Sequence, residues 1–177
     1  MRTDRFFIIT GGPGSGKTTL ISALDGIHRM PEAGRAVIQQ ELAAGSTALP
    51  WIDPQAFAEK MLERDIASWD AALQLDGPVI FDRGIPDIAG YLQLSGIAAP
   101  EHLAQAARER RYNRRVFIAP PWQAIFTQDA ERKQTFAEAE ATYRVMQTTY
   151  TKLGYELIAL PLVSVEDRAA FVRAAIA

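Results

Sequence analysis

The chain has 177 residues, 48% of them hydrophobic and 23% charged, with a formal net charge of −2 and no cysteine. Such a chain is long enough to bury a sizeable core in one domain, and its composition is neither disordered nor fibrous. Disulfides, thiol catalysis and cysteine-ligated metal are excluded, a nucleic-acid groove is disfavoured by the charge, and no apolar run reaches the ~18 residues of a membrane span.

In chain order, Arg5–Thr10 (RFFIIT) predicts a buried strand, since its apolar residues run without alternation. A glycine-rich stretch follows, then a helix from Lys17 to about Leu24. A short second strand is expected within Gly26–Glu32, then a helix over Gly34–Ala44 and a loop over Gly45–Pro50. Asp53-Pro54 supplies an N-cap carboxylate and a first-turn proline. The helix it opens runs to about Leu75 and places Phe57, Met61, Leu62, Ile66, Trp69 and Leu73 on one apolar face. Pro78–Phe81 predicts the third strand, followed by helices over Pro86–Leu94 and Glu101–Arg111. Arg115–Ala119 predicts the fourth strand, stopped by Pro120-Pro121. A long amphipathic helix is expected over Glu131–Lys152 with Gly154 as its C-cap, then a strand over Tyr155–Leu160 and a terminal helix opened by Ser164 with Asp167. Strands alternating with helices predict an α/β three-layer sandwich with a mostly parallel, about five-stranded sheet. Ligands in such sheets sit at the carboxyl ends of the strands.

Residues 11–18 read GGPGSGKT and fit G-x-x-x-x-G-K-[ST] between a strand and a helix. Glycine lets the backbone approach phosphate, successive N–H groups form an anion nest, and the helix N-terminus adds partial positive charge. Gly12, Pro13, Gly14, Ser15, Gly16, Lys17, Thr18 and Thr19 are the expected nucleotide cradle. Lys17 is expected to reach the β- and γ-phosphates, and Thr18 to ligate Mg²⁺.

The other strand ends supply further candidates. Asp82, ending the third strand, can hold Mg²⁺ or cap the next helix, and Arg83 can clamp a phosphate or form an ordinary salt bridge. Glu32 can position or deprotonate an acceptor hydroxyl, and Arg35 can hold an anionic acceptor; an ordinary helix-start pair is the alternative. Arg132 and Lys133 can close over the nucleotide as part of a lid around residues 120–135, or lie on a solvated helix face. The arginine run at 108–115 reads as a solvated helix end. Trp51, Trp69 and Trp122 are all expected to pack, although Trp51 and Trp122 sit in loops where stacking on a base is the alternative.

The stretches FFIITGGPGSGKTTL, PEAGR, VIFDRGIPD and DAERKQTFAEAEATYRVMQTTYTKLGYELIALP resemble a family of small predicted P-loop ATPases carrying an "AAA domain" label. The resemblance spans most of the chain. It departs from a true AAA+ module, which ends a strand in Asp-Glu and carries a helical lid domain; Asp82-Arg83 stands here instead. The layout is similar to nucleoside and nucleotide kinases. That similarity implies Glu32 as base, Asp82 with Arg83 for Mg²⁺ and phosphate, and Arg132 on the phosphoryl group.

The expected function is phosphoryl transfer from ATP, with Mg²⁺, to an unidentified small-molecule acceptor. The alternative is a nucleotide-hydrolysing switch acting on a protein partner. The sequence lacks an N-K-x-D guanine motif, since Asn113 is its one asparagine. A cytoplasmic location and a single unit over residues 1–177 are expected. No nucleic-acid partner is expected, and self-association is open.

Overall fold

The computed structural model describes residues 3–126 and 134–177. Its sheet has five strands: β1 (Phe6–Gly11), β2 (His28–Met30), β3 (Val79–Asp82), β4 (Arg115–Ala119) and β5 (Glu156–Ala159). They lie in the order β2-β3-β1-β4-β5, and every pairing is parallel. The seven α-helices of the described residues are α1 (Lys17–Ser22), α2 (Ala33–Ala44), α3 (Pro54–Ala72), α4 (Ile85–Leu94), α5 (Glu101–Glu109), α6 (Phe136–Lys152) and α7 (Val165–Ile176).

Helices cover both faces of the sheet, so β1 is buried at every residue and its apolar run needs no alternation. Phe7 and Ile9 point to one face, against Leu20 and Ile21 of α1, Leu24 just beyond it, and Ala169 and Val172 of α7. Phe6 and Ile8 point to the other, against Met146 and Tyr150 of α6. A third apolar cluster joins α2, α3, α4 and α5 through Val37, Phe57, Leu62, Ile88 and Leu103. None of the described helices is long and apolar enough to cross a membrane.

Two boundaries differ from expectation by three residues or more, the others by at most two. The late helix starts at Phe136, not Glu131, because Thr135 takes an extended conformation as its N-cap. The Thr135 hydroxyl accepts from the Glu138 N–H at 3.2 Å, and Glu138 Oε2 accepts from the Thr135 N–H at 2.5 Å. Helix α3 ends at Ala72 rather than Leu75. The side chain of Asp53 does cap it, accepting from the Ala56 N–H at 2.9 Å.

Register fixes the functional end of the sheet. Ile9 pairs with Asp82 and Gly11 with Ala119, so the end of β3 lies beside the last turn of β1. The loop leaving β1 therefore faces the residues that follow β3.

Candidate active site

The loop after β1 is shaped by close approach. A Cβ on Gly12 would lie 2.4 Å from the backbone oxygen of Ala139 on α6, so only glycine fits where that helix crosses. Gly16 has φ 79 and serves as the left-handed N-cap of α1, turning the following N–H groups towards the loop. Lys17 is buried, and its Nζ donates to the Gly12 carbonyl at 2.7 Å and to Ser15 Oγ at 3.4 Å. The ammonium is thereby held across the mouth of the anion nest.

Arg168 of α7 braces the same loop from below. It is 2% exposed; its Nη1 donates to the Ser15 carbonyl at 2.8 Å and its Nε to the Pro161 carbonyl at 2.7 Å. Its Nη2 is buried with no hydrogen-bond partner among the described residues, and its guanidinium lies 5.0 Å from the centre of the Trp122 ring.

Beyond β3 the chain makes a tight turn. Arg83 has φ 67, the one positive φ outside glycine among the described residues, which marks stored strain. A Cβ on Gly84 would lie 2.7 Å from Ile8 Cδ1, so the turn is pressed onto the core. Arg83 Nη1 donates to the Gly11 carbonyl at 2.8 Å and to Asp87 Oδ1 at 3.2 Å, while its Nε meets Glu32 Oε1 at 3.3 Å. Burial would lower the Arg83 pKa, but Glu32, Asp87 and Asp82 outweigh it together and hold the guanidinium more firmly charged than usual.

Asp87 anchors this arrangement. It is 5% exposed and accepts from Thr10 Oγ1 at 2.5 Å, Tyr150 OH at 2.5 Å and the Gly84 N–H at 3.1 Å besides Arg83. Three elements thus converge on one carboxylate. Asp82 differs: its Oδ1 is buried without a hydrogen-bond partner among the described residues. Burial pushes its carboxyl above the ordinary range, and Glu32 adds to the shift while Lys17 opposes it.

Two cavities open at this end of the sheet. The first, about 540 Å³, is walled by the loop residues Pro13 to Thr19 with Glu32, Arg35, Trp122 and Arg168. The second, about 460 Å³, lies between α2, α3, α4 and α6, lined by Ile38, Phe57, Met61, Ile88, Tyr91 and Met146 with Asp65, Arg83 and Asp87. Pro13, Glu32 and Gln134 border both, so the cavities meet beside the glycine loop.

A family model described as an AAA domain matches residues 6–168. The chain belongs to this AAA-domain family. No curated protein matches it in sequence. Among solved structures, the NadR protein in complex with NR is 16% identical with a TM-score of 0.70, over 98% of this chain and 52% of that one. The chain thus spans about half the length of that NadR protein. Thymidylate kinase from Ehrlichia chaffeensis is 16% identical with a TM-score of 0.61, over 97% of each chain. Shikimate kinase from Acinetobacter baumannii, in complex with shikimate, is 15% identical with a TM-score of 0.57, over 97% of this chain and 91% of that one. At these identities the likeness is one of fold: this AAA-domain protein has a kinase-like P-loop architecture.

Within that architecture, the structure gathers most of the residues singled out from the sequence. Gly12 to Thr19, Glu32, Asp82 and Arg83 come together at one end of the sheet. Arg35 lines the loop cavity rather than the apolar cleft. Arg132 and Lys133 lie outside the described residues, as does the middle of the 120–135 segment; its flanks Trp122, Ile125, Phe126 and Gln134 wall the loop cavity. The arginine run, expected as a solvated helix end, is one only in part. Arg108 in the last turn of α5 pairs with Glu101, whereas Arg110 follows the helix and pairs with Asp70, Arg111 lies over the Tyr155 ring, and Arg115 opens β4. Of the tryptophans, Trp69 packs edge-on against Phe6. Trp51, expected to pack, is 59% exposed at the cleft rim, because it sits in the loop after Pro50 and off the stripe of either flanking helix.

Sequence reasoning missed Asp65, Asp87 and Arg168. Asp65 left a trace: a carboxylate three and four residues from Leu62 and Met61 interrupts the apolar stripe of α3. Asp87 and Arg168 left little, since their partners are far along the chain.

Proposed function

We propose that this protein transfers the γ-phosphate of ATP to a hydroxyl of a small molecule held in the apolar cleft. The carrying observation is that the loop cavity and the cleft meet at Glu32. A protein that only hydrolysed nucleotide would have no use for a 460 Å³ acceptor-sized cleft opening at that point.

The anion nest and Lys17 would bind the β- and γ-phosphates, with Arg35 on the same side of Glu32. Its position fits a role towards the transferred phosphate better than towards an anionic acceptor. Trp122 and Arg168 offer a flat, cationic wall for the rest of the nucleotide. Thr18 and Asp82 fit Mg²⁺: the first faces the loop cavity, and the second has a buried oxygen with no hydrogen-bond partner among the described residues. Bound there, the ion would neutralise phosphate charge as the transfer proceeds.

Glu32 is the base. The acceptor oxygen attacks the γ-phosphorus, the bond from that phosphorus to the β,γ-bridging oxygen breaks, ADP leaves, and the hydroxyl proton passes to Glu32. Arg83 is a positioning residue, directing the Glu32 carboxylate through its Nε while Asp87 holds the guanidinium.

The test is a pooled panel of nucleosides, nucleotides, vitamins and sugars with Mg·ATP, read by product mass, with Lys17→Ala as control. A new phosphorylated compound that vanishes in the control supports transfer. Glu32→Gln should lower turnover about 100-fold or more and keep ATP binding. Unchanged turnover would remove Glu32 as base. ADP and free phosphate alone, whatever the pool, would favour the switch.

A further inference from the structure

The walls of the cleft carry information about what enters it. Its acidic residues are Glu32, Asp65, Asp87 and Glu138, and its one cation among the described residues is Arg83. That cation is already engaged: Nη1 faces the Gly11 carbonyl and Asp87, and Nε faces Glu32. Arg35 opens on the other cavity. A phosphate or carboxylate brought into the cleft would therefore lose its water beside the Glu32 and Asp87 carboxylates and apolar side chains, and the described lining offers no unengaged cation in exchange.

Asp65 is the second observation. It is 7% exposed, borders the cleft, and is reached by no hydrogen bond or ion pair among the described residues. Four buried acceptor bonds satisfy Asp87 nearby, so the neighbourhood can supply donors when a carboxylate is structural. Asp65 has none. An unmatched acceptor of this kind discriminates strongly, because a ligand without the matching donor leaves it unpaired on desolvation.

We propose that the acceptor is an alcohol bearing no negative charge, with an apolar face, and that Asp65 selects it by accepting a hydrogen bond from a donor on that molecule. This deepens the phosphotransfer reading of the same site and rests on it. Ile38, Phe57, Met61, Ile88 and Met146 take the apolar face, and Asp65 takes the donor. The hydroxyl at the Glu32 end receives the phosphoryl group.

The experiment uses acceptor pairs of one scaffold that differ in charge, such as nucleosides against their 5′-monophosphates and aromatic alcohols against the corresponding acids. Product mass and acceptor KM are read with Mg·ATP on the full chain. The uncharged members should be phosphorylated, with kcat/KM at least 10-fold above their anionic partners. Asp65→Leu, which removes the hydrogen-bond acceptor at similar volume, should raise the acceptor KM about 10-fold or more with a smaller change in kcat, and should not lower Tm. Transfer favouring the anionic members would overturn the inference and leave the kinase reading standing. An unchanged acceptor KM with a lowered Tm would make Asp65 structural and also overturn it. Hydrolysis to ADP and free phosphate with no product from either member of any pair would remove the kinase reading, and the inference with it. The charge comparison needs no variant, so it decides even where the substitution impairs folding.

Discussion

Asp87 lines the cleft, yet its oxygens are taken up by bonds that hold the site together. It collects hydroxyls from β1 and α6, a backbone N–H, and one nitrogen of Arg83. Breaking one partner of a buried charged pair leaves the other charge uncompensated, which typically costs about 3–5 kcal/mol. Asp87→Asn also points an amide at hydroxyls that now donate. We expect urea unfolding to show about 3 kcal/mol lost; a loss below about 1 kcal/mol would mean that Arg83 and Glu32 are held by something else. The glycine loop was legible in the sequence because its chemistry is local: strand, glycines, lysine, helix. Asp87 was not, although VIFDRGIPD was read as a unit. Tyr150 lies 63 residues away and Thr10 lies 77, and nothing in the local pattern shows that they converge.

At the scale of elements, the alternation of strands and helices made the parallel sheet legible, because short connections and right-handed crossovers leave few other arrangements. The strand order was not legible, since β3 inserts between β1 and β2 through packing of α2, α3 and α4 rather than through any strand signal. Helix α6 shows a boundary misplaced for want of weighing one motif. The apolar spacing begins only at Phe136, and T-F-A-E at Thr135 to Glu138 is a capping box that decided the start. That cap matters for function, because α6 presents Glu138, Thr142 and Met146 to the cleft. The Glu138 carboxyl is lowered chiefly by the Thr135 backbone hydrogen bond, with the hydroxyl second. Thr135→Ala should cost about 1 kcal/mol. For a chain of this size that is a Tm about 2–4 °C lower. Scanning calorimetry checks it, and an unchanged Tm would show that the first turn is held from elsewhere.

Over the whole molecule, the ends of the parallel strands concentrate negative charge. Glu32, Asp65, Asp82 and Asp87 act on one another here, opposed by Arg83 and Lys17. Under the proposed phosphoryl transfer the surplus would suit a metal–nucleotide complex, and it burdens the ligand-free fold. Asp65 bears the burden most directly. Burial raises its carboxyl well above the ordinary range, Asp87, Glu32 and Asp82 raise it further, and only Arg83 opposes. The folded state therefore holds this proton at pH values where the unfolded chain has released it. Stability from this group is complete below the ordinary carboxylate pKa of ~4 and declines as pH rises through the folded value. Asparagine has no proton to release. The stability of Asp65→Asn minus that of the native chain, both ligand-free, should thus grow with pH at up to about 1.4 kcal/mol per unit until the native Asp65 ionises. Urea unfolding of both proteins at pH 4.5, 6 and 7.5 measures that difference, and the groups that do not interact with Asp65 cancel in it. A gap that stays constant or shrinks as pH rises would mean that Asp65 ionises as readily in the fold as outside it. Its buried place on the stripe of α3 would then carry no electrostatic cost, and binding an acceptor would have no such cost to relieve.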